Sequence, residues 1–168
     1  MSKPDIEIRR ATHADWRAVK RVRLAALREA PYAFGSTYER ERGRKAAEWH
    51  RFIVDAQRPT HNVIYLAYDG ADQVGIVRAF PETKPSVMLV SMWVAPVARR
   101  TGTGKQLTQA ILDWAVEVRA RKVNLWVADD NPDAIALYQA IGFVPTGKHQ
   151  QMRSAPDRLM SEFARKPR

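Results

Sequence analysis

Arg99, Arg100, Gly102 and Gly104 are the residues of this chain whose types and spacing point most directly to chemistry. Paired guanidinium groups supply positive charge, and glycines spaced by one residue let a backbone turn sharply and approach an anion closely. The segment Val94-Ala95-Pro96-Val97-Ala98-Arg99-Arg100-Thr101-Gly102-Thr103-Gly104-Lys105 follows a continuous apolar run, Val87 to Val94, that reads as a buried strand. After it, Leu107, Ala110, Ile111, Trp114 and Val118 fall on one helical stripe. Strand, glycine turn, helix start and local positive charge together describe a site for a phosphorylated ligand. The first N–H groups of a helix lack partners and carry the positive end of its dipole.

Two common phosphate motifs can be tested position by position. A Walker A loop requires Gly at 99 and Ser or Thr after Lys105, where the chain has Arg99 and Gln106. A G-x-G-x-x-G dinucleotide turn requires Gly or Ala at 107, where the chain has Leu107. Both fail. What stands there is Arg99-x-x-Gly102-x-Gly104 preceded by Val94-x-Pro96. Downstream comes Asn131-x-x-Ala134-x-x-Leu137-Tyr138-x-x-x-Gly142-Phe143. With the strand-helix-strand order between them, these two motifs resemble those of the GNAT superfamily of N-acetyltransferases. The resemblance runs from about Ile6 to Gln150. It includes Ala33-Phe34-Gly35-Ser36-Thr37, within the segment Arg23 to Glu41.

The resemblance implies an acetyl-CoA-dependent N-acetyltransferase of mixed α/β fold, its mostly antiparallel sheet flanked by helices and its central strands splayed. Backbone amides of Arg100, Thr101, Gly102, Thr103, Gly104 and Lys105 would hold the CoA pyrophosphate, with Arg99 and Arg100 supplying charge. Met92, Trp93 and Val94 would run beside the pantetheine arm, where the strand bulges away from its neighbour. Asn131 would cap a helix, contact the cofactor, or both. By its motif position Tyr138 would protonate the leaving sulfur, although an apolar stripe is also where a core tyrosine belongs. A backbone N–H near Val94 would polarise the thioester carbonyl.

Acyl transfer of this kind needs a neutral amine, a donor for the oxyanion and a proton for the thiolate. Holding both reactants side by side supplies much of the acceleration. The acceptor would be a primary amine, on a protein N-terminus, a lysine or a small molecule. The general base stays open: Ser91 is the one polar side chain of Val90-Ser91-Met92, and Glu39 lies in the acceptor-side segment. His13, His50, His61 and His149 are scattered without ligand spacing, so no metal is expected.

The 168 residues read as one domain, 1–168, of ordinary 45% apolar content. The net charge of +10 invites a nucleic-acid reading, but basic residues are interleaved with acids, as in Glu39-Arg40-Glu41-Arg42. The one dense basic run is Arg165-Lys166-Pro167-Arg168. Solvated surface accounts for this charge better than a nucleic-acid partner does. No apolar run approaches the roughly 20 residues of a membrane span, and the N-terminal residues carry charge where a signal peptide is apolar. The absence of cysteine points to the cytoplasm and excludes a cysteine nucleophile. A non-catalytic acyl-CoA-binding module remains an alternative, with a basic nucleic-acid-binding protein behind it. Whether the chain pairs as a homodimer is left open.

The elements that must position these residues follow from the pattern. Ile6 and Ile8 suggest a first strand, and Thr12 with Asp15 a capping box opening a helix through Trp16, Val19, Val22 and Leu27. Tyr32 to Arg44 reads as loop with a short helix, and Ala46 to Gln57 as a helix carrying Trp49, Phe52 and Ile53. Val63–Tyr68 and Val74–Phe80 flank Asp69-Gly70, which predicts an antiparallel hairpin. A turn over Pro81 to Pro85 leads into the strand ending at Val94, and a helix from about Thr103 to Arg119 follows. Val123–Val127 is a further strand. Asn131-Pro132 caps and opens the last helix, whose stripe is Ala134, Leu137, Tyr138 and Ile141 and whose stop is Gly142. Weak strands at Val144–Gln150 and Leu159–Ala164 complete the order.

Overall fold

The computed structural model describes residues 5–57 and 62–168, with side chains omitted for 54–57. His61 therefore lies outside the described residues. Seven strands form one mixed sheet in the order β1-β2-β3-β4-β5-β7-β6. They are β1 (Ile6–Arg10), β2 (Val63–Asp69), β3 (Asp72–Pro81), β4 (Ser86–Val94), β5 (Lys122–Ala128), β6 (Val144–Met152) and β7 (Ala155–Arg165). The helices are α1 (Trp16–Glu29), α2 (Tyr38–Arg42), α3 (Ala46–Gln57), α4 (Thr103–Glu117) and α5 (Pro132–Ala140). Every strand pairing is antiparallel except β4 with β5. The mixed, mostly antiparallel sheet with flanking helices is the one the sequence predicts.

The local signals do what their chemistry requires. Asp15 Oδ2 accepts from both the backbone N–H and the hydroxyl of Thr12, closing a 3-10 turn (His13–Asp15) ahead of α1. Asn131 accepts from the Ala134 N–H at 3.2 Å, and Pro132 occupies the first turn of α5. That helix ends in a Schellman arrangement: Phe143 N–H reaches Tyr138 C=O and Gly142 N–H reaches Gln139 C=O, with Gly142 at φ 93°. The strands expected to be weak, β6 and β7, form a longer hairpin than their composition suggests.

Two apolar layers hold the sheet. On one face, α4 and α5 bury Leu107, Ile111, Trp114 and Tyr138 against Val77, Leu125 and Phe163. On the other, α1 buries Val19, Val22 and Leu27 against Ile64, Leu66, Ile76 and Trp93. A Leu-sized side chain fully buried in either layer contributes about 1.5–3 kcal/mol.

The sheet opens in its middle. β4 and β5 pair only at Ser86–Lys122, Val87–Val123 and Met88–Asn124. Beyond Met88 the two strands part, while β5 continues its pairing with β7 up to Ala128–Met160. A bulge in β4 accompanies the parting: Ile76 faces Trp93 and Arg78 faces Val90, so Ser91 and Met92 together oppose Val77. Ser91 has φ 56°, left-handed backbone that a serine adopts only under constraint.

Candidate functional site

The gap between β4 and β5 is a cleft of about 130 Å³. Val90, Ser91 and Met92 form one wall, Trp126 and Ala128 the other, and Asn131, Leu137 and Tyr138 of the α5 region lie against it. The wedge therefore brings together Met92, Asn131 and Tyr138, three of the residues the sequence singles out. On β4 and β5 it also leaves backbone groups without a strand neighbour on the open side, which an extended ligand can pair as an added strand does.

The α4 start lies just past the open end of the wedge. Gly102 is its N-cap at φ 91° and provides no side-chain cap. The first backbone bond of the helix runs from Gln106 N–H to Gly102 C=O at 3.0 Å. The N–H groups of Thr103, Gly104 and Lys105 thus precede the helical ladder, as an anion cradle requires. Arg100 is also left-handed, at φ 63°, so the loop reverses twice within three residues. Thr101 Oγ1 pins it by donating to Ala98 C=O at 2.7 Å and lies 2.8 Å from Thr103 Oγ1.

The two glycines are required for different reasons. A Cβ on Gly102 meets nothing within 4 Å, so its constraint is φ alone. Gly104 has ordinary helical backbone, but a Cβ there would lie 3.0 Å from Leu137 Cδ2. Gly104 lets the first turn of α4 close onto α5, where Leu137 and Tyr138 reside.

Trp93 and Arg99 both turn to Glu29 at the end of α1, and neither lines the cleft. The Trp93 ring is buried in the α1 layer, and its indole N–H donates to Glu29 Oε2 at 2.9 Å. Arg99 Nη2 reaches the same oxygen at 2.7 Å, and its Nε donates to Val94 C=O at 2.9 Å. Arg99 hydrogen bonding, then Trp93, hold the Glu29 carboxyl below its ordinary pKa. This trio straps the end of α1 to the end of β4. Arg100 and Lys105 are exposed, and no ion pair involves either among the described residues.

Tyr138 is buried, and desolvation raises its phenol pKa well above the ordinary value. It stays protonated at any physiological pH, with its ring edge-on to Phe143. Of the residues weighed as a base, Glu39 forms an exposed ion pair with Arg42 at 2.6 Å. Ser91 accepts at 3.0 Å from Arg23 Nη1, whose other nitrogens hold Glu41 at 2.9 and 3.0 Å. Neither Arg23 nor Glu41 carries a signal in the sequence, because the two are 18 residues apart and Ser91, the other partner of Arg23, is 68 residues from it. His13 and His50, which look scattered, stand 3.0 Å apart, but no cluster of three metal-binding side chains exists among the described residues. No described helix is long and apolar enough to cross a membrane.

Known proteins share this architecture. The sequence model of the acetyltransferase (GNAT) family matches residues 21–143. Uncharacterized N-acetyltransferase YfmK of Bacillus subtilis (strain 168) is 32% identical over 100 residues, 57% of this chain and 62% of its own length. N-acetyltransferase family 8 member 2 of Rattus norvegicus is 31% identical over 102 residues, 58% of this chain and 45% of its own. The chain thus spans less than two thirds of the length of either relative. Among solved structures, yncA of Salmonella typhimurium, a putative acetyltransferase with its cofactor acetyl-CoA, superposes with a TM-score of 0.79 at 15% identity. That match covers 97% of this chain and 94% of the other. Splayed strands, glycine turn and the α5 motif all lie in or beside the matched span, and the chain belongs to the acetyltransferase (GNAT) family.

Proposed function

We propose that this protein transfers an acetyl group from acetyl-CoA to a primary amine by direct attack within a ternary complex. The observation that carries the proposal is the wedge itself. It is an edge-lined gap that ends on one side at an uncapped helix start and on the other at a buried, protonated Tyr138. An anionic cofactor with an extended arm matches both features. The N–H groups of Thr103, Gly104 and Lys105 would hold its pyrophosphate, with charge from Arg100. Met92 and Val94 would border the pantetheine arm, Trp93 and Arg99 keeping that strand end in place. Asn131 would act through α5, by capping it.

In the reaction the amine lone pair forms the C–N bond and the C–S bond breaks, its electron pair leaving on sulfur. Tyr138 would give that sulfur its proton, since a phenol kept neutral by burial is a donor and not a base. No step requires a covalent enzyme intermediate, so the absence of cysteine is no obstacle. A site of this kind would serve in the cytoplasm, where acetyl-CoA and reduced conditions coincide.

Thiol release tests the reading. Incubation with acetyl-CoA and a set of amines should give acceptor-dependent free thiol, and acetyl-CoA should raise Tm because it binds the folded state. A Tm shift without thiol release for any acceptor would instead mark a non-catalytic acyl-CoA-binding module. No shift at all would remove the cofactor.

A further inference from the structure

The sheet face opposite α4 and α5 carries a polar cluster that the wedge chemistry above does not use. Directly opposed residues project from the same face, and the register pairs Met88 with Asn124, Trp126 with Glu162, and Ala128 with Met160. Trp126 and Met160 line the cleft. Asn124 and Glu162 flank Trp126 and are only 4% and 3% exposed. Asn124 Nδ2 donates to Glu82 Oε2 at 3.1 Å, which fixes the sense of the amide. Asn124 Oδ1 and Glu162 Oε1 are both buried without a hydrogen-bond partner. Lys148 Nζ lies 3.8 Å from that Glu162 oxygen, too far to donate, on a side chain 67% exposed.

Burying an oxygen acceptor without a donor is unfavourable, and a carboxylate oxygen more so than an amide. Here two of them share one face at the place where β4 and β5 begin to part. Tyr138 lies on the other face, in the α4–α5 layer. A group that satisfies both oxygens must be rich in donors and positively charged, and a primary ammonium, with three N–H donors and no acceptor, fits that description.

We propose that Glu162 and Asn124 form the receptor for the acceptor's primary ammonium group. The proposal rests on the acetyl-transfer reading and adds to it the acceptor's point of entry and first proton acceptor. The ammonium gives one proton to the Glu162 carboxylate, which releases it to solvent. The freed lone pair forms the C–N bond as the C–S bond breaks, and the sulfur takes its proton from Tyr138. The second nitrogen proton then replaces the one that Tyr138 gave up, leaving an amide, free thiol and one proton in solution.

Methylammonium and benzylammonium, titrated into the protein saturated with free CoA, probe this receptor without turnover, through the NMR signal of the Trp126 indole N–H. The signal should move saturably in the wild type and fail to move in Glu162→Gln and Asn124→Leu. Saturable CoA binding with no ammonium response in the wild type, or an equal response in Glu162→Gln, overturns the receptor and leaves the cofactor reading standing. Failure of CoA itself to bind overturns that earlier reading instead. With any acceptor that releases thiol, Glu162→Gln should lower kcat/KM at pH 7 by about 100-fold or more, and the loss should shrink as pH rises and the free amine becomes neutral.

Lys148 is the cation nearest Glu162, and Glu82 accepts from Asn124. Arg78, Lys122 and Arg158 share this face by strand alternation, and Arg23 and Glu41 approach it from α1 and α2. Lys148→Met therefore separates the two roles of Glu162. It should leave kcat/KM within about twofold if Glu162 serves the amine and not the ion pair. A Lys148→Met loss equal to that of Glu162→Gln, with the same pH profile, overturns the proposal.

Discussion

Arg23 Nη1 donates to Ser91 Oγ at 3.0 Å, and this bond ties a buried ion pair to the left-handed residue of the β4 bulge. Arg23 and Glu41 are 7% and 1% exposed, with hydrogen bonds of 2.9 and 3.0 Å between them. The pair joins α1 to α2, and through Ser91 it reaches the strand that opens the cleft. The shape of the wedge is therefore fixed in part from outside the sheet.

Removing one partner of this pair should be costly. Glu41→Gln leaves the Arg23 charge buried and is expected to lower stability by about 3–5 kcal/mol. The double variant Arg23→Met with Glu41→Leu should recover most of that. Burial pushes the Glu41 carboxyl pKa up, but hydrogen bonds and charge from Arg23 prevail and leave it below the ordinary value. A folded pKa that is depressed stabilises above the unfolded value and is lost as pH falls through the folded one. Urea unfolding from pH 7 down to pH 3 should show wild-type stability falling more steeply than that of Glu41→Gln. Parallel curves would deny Glu41 this role.

Tyr138→Phe removes the hydroxyl while keeping the ring against Phe143. Turnover should fall by about 10- to 100-fold, with the acetyl-CoA Kd within about twofold and Tm nearly unchanged. Unchanged turnover, measured where chemistry limits the rate, would take Tyr138 out of the mechanism. Burial raises the folded pKa of this phenol, so its stability contribution is complete below the unfolded value and is lost as pH rises through the folded one. Wild-type activity should accordingly show no loss from Tyr138 ionisation near pH 10, where an ordinary tyrosine titrates.

What was legible in the chain was what depends on neighbours in sequence. Asn131, Pro132 and Gly142 act within a turn of themselves, and the structure has cap, first turn and Schellman stop where their chemistry puts them. The Asp69-Gly70 turn is equally local, with Gly70 at φ 59°. Long-range partners were not legible. Glu29 looks like a surface acid at a helix end, yet it holds Trp93 and Arg99 from 64 and 70 residues away. Glu41 lies in an alternating charge run and is nevertheless buried. Ser91 showed no turn signal, because its backbone is set by β3 and Arg23 and not by its own propensity.

The two glycines of the α4 turn should respond differently to alanine. Gly102→Ala places a Cβ at φ 91° and is expected to cost about 1–2 kcal/mol from backbone strain, with no packing partner to disturb. Gly104→Ala has no such strain, but its methyl must displace Leu137, whose Cδ2 would lie 3.0 Å away. Shortening that neighbour should relieve the contact, so Gly104→Ala with Leu137→Ala should be less destabilised than the sum of the single changes. Gly102→Ala should show no such coupling to Leu137. Denaturation of the three single variants, the two double variants and the wild type decides it: additive effects in the Gly104 series would mean that the close approach to α5 is not what requires this glycine.

Arg99 and Arg100 are adjacent but differently engaged, and this separates their predicted roles. Arg99 is held by Glu29 and Val94, so Arg99→Ala should act through the β4 end, and its effect on acetyl-CoA affinity should be largely reproduced by Glu29→Ala. Arg100 has no ion pair among the described residues and lies in the turn that leads into α4. Arg100→Ala should weaken acetyl-CoA binding by about three- to tenfold, the worth of one partly exposed charge beside an anion. Because that interaction is exposed, its contribution should shrink as ionic strength rises from 0.05 to about 0.5 M and the Debye length contracts. Calorimetric titrations of wild type and both variants across that range provide the check. A salt-independent loss in Arg100→Ala would mean that Arg100 shapes the loop through its left-handed backbone and leaves the phosphate to the α4 amides.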